Sequence, residues 1–133
     1  AIRDISAYIS SLPKIAIEDT LIADVAHGEK LYVTCATCHG KKGEGKYAMN
    51  APQLSGQESW YMIRQLKNFK AGIRGRHSLD TFGHQMFSMA RYLRDEDDIK
   101  DVVAYINTLP LESANVNKIA QNEATTESVA GGH

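Results

Sequence analysis

Apolar side chains recur at Ile2, Ile5, Ile9 and Leu12, separated by polar positions, and Pro13 ends the run. Spacings of three and four place such positions on one face of a helix, so residues 2–12 read as a short amphipathic helix. The same rhythm returns at Ile99, Val102, Val103, Ile106 and Leu109, with Asp95 as its cap, acidic residues at its positive end and Pro110 as its stop. The two segments are near copies. IRDISAYISSLP (2–13) and IKDVVAYINTLP (99–110) share seven of twelve residues at an offset of 97. The common Ala-Tyr-Ile and Leu-Pro pairs point to a duplicated module, of which the first helix is the closing piece of a preceding copy.

Between these copies, Asp24 can cap a helix that runs into Cys35 with Gly28 inside it. A further helix is expected from Ser59, carrying Trp60, Ile63, Leu66 and Phe69 inward and Arg64, Lys67 and Lys70 outward, until Gly72 ends it. Residues 40–57 and 72–94, rich in Gly, Asn, Ser and Pro, read as loops. No alternating run of β-branched residues suggests a strand, so the expected class is all-α. The expected division is a helix at 1–13, a linker at 14–23, a domain at 24–111 and a flexible polar tail at 112–133.

Composition narrows the function. A chain of 133 residues, 43% hydrophobic, suits one small domain. Fifteen basic residues against sixteen acidic ones give a formal net charge of −1, which offers no general attraction to nucleic acid or an anionic membrane. No apolar run approaches the roughly 18 residues of a membrane span. The chain opens at Ala1 without a methionine or a secretory signal, as a processed or excised end would.

The chemistry lies in CATCHGKKGEG at 35–45. A thioredoxin-like pair of thiols would need a preceding strand in a βαβ setting, and none is expected here. Structural zinc takes four ligands, of which Cys35 and Cys38 supply two, while His27, His77, His84 and His133 lack the usual paired spacing. A disulfide between Cys35 and Cys38 would close a very small loop and leave His39 unexplained. Cys-x-x-Cys-His fits covalent haem attachment: two thiols for two thioethers, and an adjoining imidazole for the iron. A covalently held macrocycle would also give a few short helices a large apolar body to close around.

The chain resembles a class I cytochrome c, and within that class the tandem two-haem cytochrome c4 group. The likeness rests on CATCHG at 35–40, NAPQLSGQ at 50–57, RQLKNFKAG at 64–72, MFSM at 86–89 and DDIKDVVAYI at 97–106. It implies an all-α class I cytochrome c fold around one haem c, most like the C-terminal module of such a tandem. With one Cys-x-x-Cys-His present, the second haem of that group has no attachment site in this sequence.

His39 leaves the other face of the iron to a second ligand, for which methionine sulfur is a soft candidate. Met49 follows His39 by only ten residues, too few to pass around a macrocycle, and Met62 sits at a packing position of its helix. Met86 and Met89 follow a helix and a long loop and have the reach. The resemblance favours Met86, as the first methionine of Met-x-x-Met, with Met89 as a core gap-filler. His84, two residues before Met86, is expected to face solvent or a propionate. Pro52 resembles the family proline whose carbonyl accepts a hydrogen bond from the proximal imidazole, which would orient His39. Gly28 and Tyr105 resemble the family's meeting point of first and last helices. Trp60, Tyr61, Arg64 and Gln65 suit either propionate contact or an ordinary helix surface.

The expected function is a single-haem electron carrier, not an enzyme, whose iron alternates between ferrous and ferric states under His39 and Met86. Transfer would pass near the thioethers at Cys35 and Cys38. The alternatives are an electron-relay module of a larger multi-haem oxidoreductase, and a haem enzyme or gas sensor with a displaceable sixth ligand. The resemblance implies redox partners such as a membrane oxidoreductase, a terminal oxidase or a reductase. Attachment chemistry of this kind implies export to the periplasm. Two surface features set expectations about association: the stripe at 2–12, as a homodimer contact, and the basic cluster Arg64, Lys67, Lys70, Arg74 and Arg76, as a docking charge.

Overall fold

The computed structural model describes residues 1–13 and 21–111. The expected tail at 112–133 and most of the expected linker, 14–20, lie outside the described residues. Five helices follow in order: α1 (Ile2–Ser11), α2 (Val25–His39), α3 (Ser59–Lys70), α4 (Thr81–Ala90) and α5 (Glu96–Thr108), with a 3-10 turn at Tyr47–Met49. Among the described residues the extended pairing is limited to an isolated bridge between Lys46 and Ala51.

Three helices start where an aspartate is available to cap them, α4 through Asp80, which accepts from the Gly83 amide at 2.8 Å. Asp24 accepts from the His27 amide at 3.0 Å to open α2, and Asp95 accepts from the Asp98 amide at 2.9 Å to open α5. These two helices form the main contact of the fold, and Gly28 is where they cross. A Cβ placed at Gly28 would lie 1.9 Å from the carbonyl oxygen of Asp101, so the absent side chain is what lets the backbones approach. One turn on, the rings of Tyr32 and Tyr105 meet at 5.4 Å. The core continues through Met62, Leu93, Ile99, Val102, Val103 and Ile106.

Polar contacts pin the same crossing. Asp101 accepts from the Asp24 amide at 2.8 Å through one oxygen and meets Nδ1 of His27 at 2.8 Å through the other. Asp98, only 2% exposed, accepts from the Arg94 amide, Nε and Nη2 at 2.8, 3.0 and 3.1 Å. Those Arg94 hydrogen bonds hold its carboxyl below the usual carboxylate range. A buried carboxylate is thereby kept charged and satisfied.

Two expectations change. The first concerns residues 72–94, which hold α4 rather than continuous loop. Gly83, His84 and Gln85 dilute its apolar pattern, and tertiary contact supplies what propensity lacks. The preceding loop presses against it: a Cβ at Gly75 would fall 2.2 Å from the Gly83 carbonyl. The second concerns α3, whose inward face carries Ser59, Met62 and Phe69, while Trp60 is 59% exposed. Met62 packs into the core with Ile63 and Leu66 against it, and the side chain of Asn107, on α5, donates to the Ser59 hydroxyl, so the face that turns inward leaves position 60 to solvent.

Helix α1 buries no residue: Ile2, Ile5, Ile9 and Leu12 are all exposed, Ile2 to 83%.

Candidate haem-attachment site

The last turn of α2 carries all three residues of the attachment signature. Cys35 and Cys38 stand three residues apart, on neighbouring positions of one helix face, both half-buried and both free of any disulfide. Burial pushes the Cys35 thiol up to about 11, the opposite of the lowered value that makes a redox nucleophile. Dithiol exchange is therefore poorly served here. Among the described residues no three His, Cys, Asp or Glu side chains converge as a metal cluster, so the pair is not half of a zinc site built from them.

His39 ends the helix and is 5% exposed. Its Nδ1 lies 2.8 Å from the carbonyl oxygen of Pro52. A carbonyl can only accept, so Nδ1 carries the proton and the Nε2 lone pair is left for another partner. Burial holds the imidazole below its ordinary value, which favours the neutral, coordinating form. The ring is thus fixed in tautomer and in direction.

A tightly tied loop brings Pro52 to that position. Gly40 leaves the helix at φ 87°, and the Gly45 amide returns to donate to the His39 carbonyl at 2.7 Å. Further along, the Leu54 and Ser55 amides both donate to the Gly43 carbonyl, at 2.8 and 3.1 Å. Between these anchors the 3-10 turn and Asn50, at φ 48°, reverse the chain. Two further side chains, not singled out from the sequence, brace the same loop. Tyr32 donates its hydroxyl to the Gly40 carbonyl at 2.7 Å, and Lys46 donates to the Thr37 carbonyl, between the two cysteines, at 2.8 Å. The signal for Tyr32 was its position, two turns before His39 on the same face of α2.

These residues fit a c-type haem: two unbridged thiols one helical step apart, and a buried imidazole whose remaining nitrogen is free by virtue of its bond to Pro52. For the opposite face, the methionines sort by place. Met62 is buried in the core between α3 and its neighbours, and Met49 is exposed on the 3-10 turn. Met86 and Met89 share one face of α4, both half-buried. His84 is exposed, its ring 5.7 Å from Phe87.

Trp60, Tyr61, Arg64 and Gln65 are occupied with their own surroundings. Trp60 donates to Glu58 and stands edge-on to Tyr61, Arg64 lies over the Trp60 ring, and Gln65 accepts from Arg74 at 2.8 Å.

The sequence model of the cytochrome c family matches residues 25–110, a span that runs from the start of α2 past the end of α5. Cytochrome c4 of Azotobacter vinelandii is 31% identical over 118 residues, covering 81% of this chain and 53% of the relative. Cytochrome c4 of Pseudomonas aeruginosa is 31% identical over 103 residues, covering 76% and 47%. A protein of Stutzerimonas stutzeri named as a thiosulfate dehydrogenase electron acceptor is 36% identical over 61 residues, covering 39% and 28%. The chain spans about half the length of the cytochrome c4 relatives it matches.

Proposed function

The chain belongs to the cytochrome c family, proteins that hold haem c covalently and carry electrons, and we propose that it does so with one haem, bonded through Cys35 and Cys38 and ligated by His39 and Met86. The observation that carries this assignment is the 2.8 Å contact between His39 Nδ1 and the Pro52 carbonyl, which frees Nε2 as an iron ligand. When bound, haem c supplies an iron that alternates between ferrous and ferric states.

The chain's own residues hold that iron and set its character. Cys35 and Cys38 would hold the haem, each thiol being placed to become a thioether to one vinyl group. Pro52 orients the His39 ring and, by accepting a hydrogen bond from Nδ1–H, strengthens the other nitrogen as a donor. Met86 offers a soft thioether from α4, which favours the reduced state and raises the potential. With His39 and Met86 both holding the iron, the haem group would supply electron transfer rather than bond chemistry on a substrate.

Haem-loaded protein tests this directly. The haem should remain with the chain after denaturation and organic extraction, and the ferrous protein should leave carbon monoxide unbound at neutral pH. Carbon monoxide binding would overturn the carrier assignment in favour of an enzyme or gas sensor with a displaceable ligand.

Redox proteins are the partners that follow: a membrane oxidoreductase on one side, a terminal oxidase or reductase on the other. Covalent attachment at Cys-x-x-Cys-His is carried out outside the cytoplasm, which supports a periplasmic location. Among the described residues no helix is long and apolar enough to cross a membrane.

A second reading, as a relay module within a larger electron-transfer protein, is favoured by α1. Its Asp4, Tyr8 and Ile9 stand where α5 has Asp101, Tyr105 and Ile106, the residues that seat α5 on α2. Residues 1–13 therefore carry most of a docking face for another haem helix, while 24–111 form the haem domain itself. On its own, the exposed stripe should pair two copies of the chain. Sedimentation of the 133-residue chain should show dimers, and a chain beginning at Ile15 monomers; equal monomeric masses for both would sink the pairing.

A further inference from the structure

Basic side chains crowd α3, the loop after it and the turn between α4 and α5, and the fold sorts them by what they already hold. Lys67 pairs with Glu96 at 2.9 Å, Lys70 donates to the Leu93 and Arg94 carbonyls at the turn before α5, and Arg94 is bound to Asp98. Arg74 donates to Gln65 and lies over the Phe69 ring. These four charges, which look available in sequence, are thus tied within the fold. Arg76 and Arg91 are different. Each lies 5.7 Å from the centroid of the same ring, Phe87, and neither pairs with a carboxylate among the described residues. Both are exposed.

Resting on the carrier reading above, we propose that Arg76 and Arg91, held across Phe87, form the docking clamp for a carboxylate-rich patch on a redox partner protein. A guanidinium stacked on a ring is ordered before the partner arrives and keeps its N–H edge turned outward, so it loses little freedom on binding. That edge matches a carboxylate bidentately, and two such edges lie around one ring, each 5.7 Å from its centroid. The platform beneath them is firm, because the 72–76 loop is pressed onto α4: a Cβ at Gly75 would fall 3.1 Å from Cβ of Phe87 and 2.2 Å from the Gly83 carbonyl. Exposed apolar side chains, Ile73 and Leu79 in the same loop and Phe82 on α4, add the apolar contact that a transient protein interface needs.

The partner is a protein with a local acidic patch rather than an anionic bilayer. Asp95, Glu96 and Asp97 begin four residues beyond Arg91, and the molecule as a whole carries a formal net charge of −1. A wide negative surface would meet those acids too, whereas a confined patch would meet the arginines alone. Phe87 and the proposed distal ligand Met86 are carried by the same helix, α4.

Poly-L-glutamate titrated into ¹⁵N-labelled, haem-loaded ferrous protein at low salt is a suitable probe. Amide shifts should concentrate at residues 74–77 and 87–92, weaken as salt is added, and require about tenfold more polymer in the Arg76→Gln/Arg91→Gln variant. Lys41→Gln should leave the titration unchanged. Shifts centred on 41–46, or an unchanged titration in the double variant, would overturn the clamp, as would tight binding to phosphatidylglycerol vesicles without response to the polymer. Covalent haem and reversible oxidation measured on the same samples separate the two proposals: a protein that cycles normally but ignores the polymer at this face refutes the clamp and leaves the carrier standing.

Discussion

Met86→Ala abolishes the low-spin, methionine-ligated spectrum of the haem-loaded protein and lowers its reduction potential by tens to hundreds of millivolts, a share of the roughly 0.8 V over which axial ligands move haem iron. Met89→Ala leaves the spectrum intact. Both methionines lie half-buried on one face of α4, and both belong to the only helix that could not be read from local pattern, so the experiment decides between neighbours. Truncation at Met89 removes packing alone and costs some stability, about 2 to 3 kcal/mol for a partly buried methionine. Loss of the methionine signature in Met89→Ala, with Met86→Ala unaffected, would transfer the ligand to Met89 and shift the proposed clamp's relation to the iron.

Gly28→Ala should be the most damaging single methyl in the domain. The new Cβ would sit 1.9 Å from the Asp101 carbonyl oxygen and 2.5 Å from its carbon, both backbone atoms with nowhere to swing. The helices α2 and α5 must separate, which loosens the Tyr32–Tyr105 contact and the Asp101 bonds to Asp24 and His27 together. A cost of about 3 kcal/mol or more follows for such an overpacked crossing. Gly83→Ala provides the comparison. There the nearest atoms are the side-chain carboxylate of Asp80, which can turn away at the loss of a helix cap worth about 1 kcal/mol. Denaturant unfolding of the haem-loaded variants measures both. A Gly28→Ala protein within about 1 kcal/mol of the parent would show that the helices have room to spare.

Legibility in the sequence followed the range of each interaction. Caps at Asp24 and Asp95, the stop at Pro110 and the apolar rhythm of α5 are all decided within a few residues, and the structure keeps each of them. The attachment signature is equally local, since two thiols and an imidazole in five residues leave little for the rest of the chain to alter. Helix α4 escaped because its stability comes from the loop laid against it rather than from its own propensity. Trp60 was placed on the wrong side of α3 because the inward face is chosen by distant packing around Met62 and by contacts such as that of Asn107, 48 positions from the Ser59 it binds. Lys67 and Lys70 looked like free surface charge because their partners, Glu96 and the Leu93 and Arg94 carbonyls, lie 23 to 29 positions away.

By itself, then, the amino-acid order determined which residues form the attachment signature, which segments can be helical and which two helices resemble each other, because spacing along a chain with fixed helical geometry translates directly into a shared face. Only the tertiary structure decided which tautomer His39 adopts, through a proline carbonyl thirteen residues away. It also decided which of the many basic side chains remain for a partner. Burial, proton position and charge pairing are properties of atoms in space, and atoms distant in sequence set them only once the loops have closed.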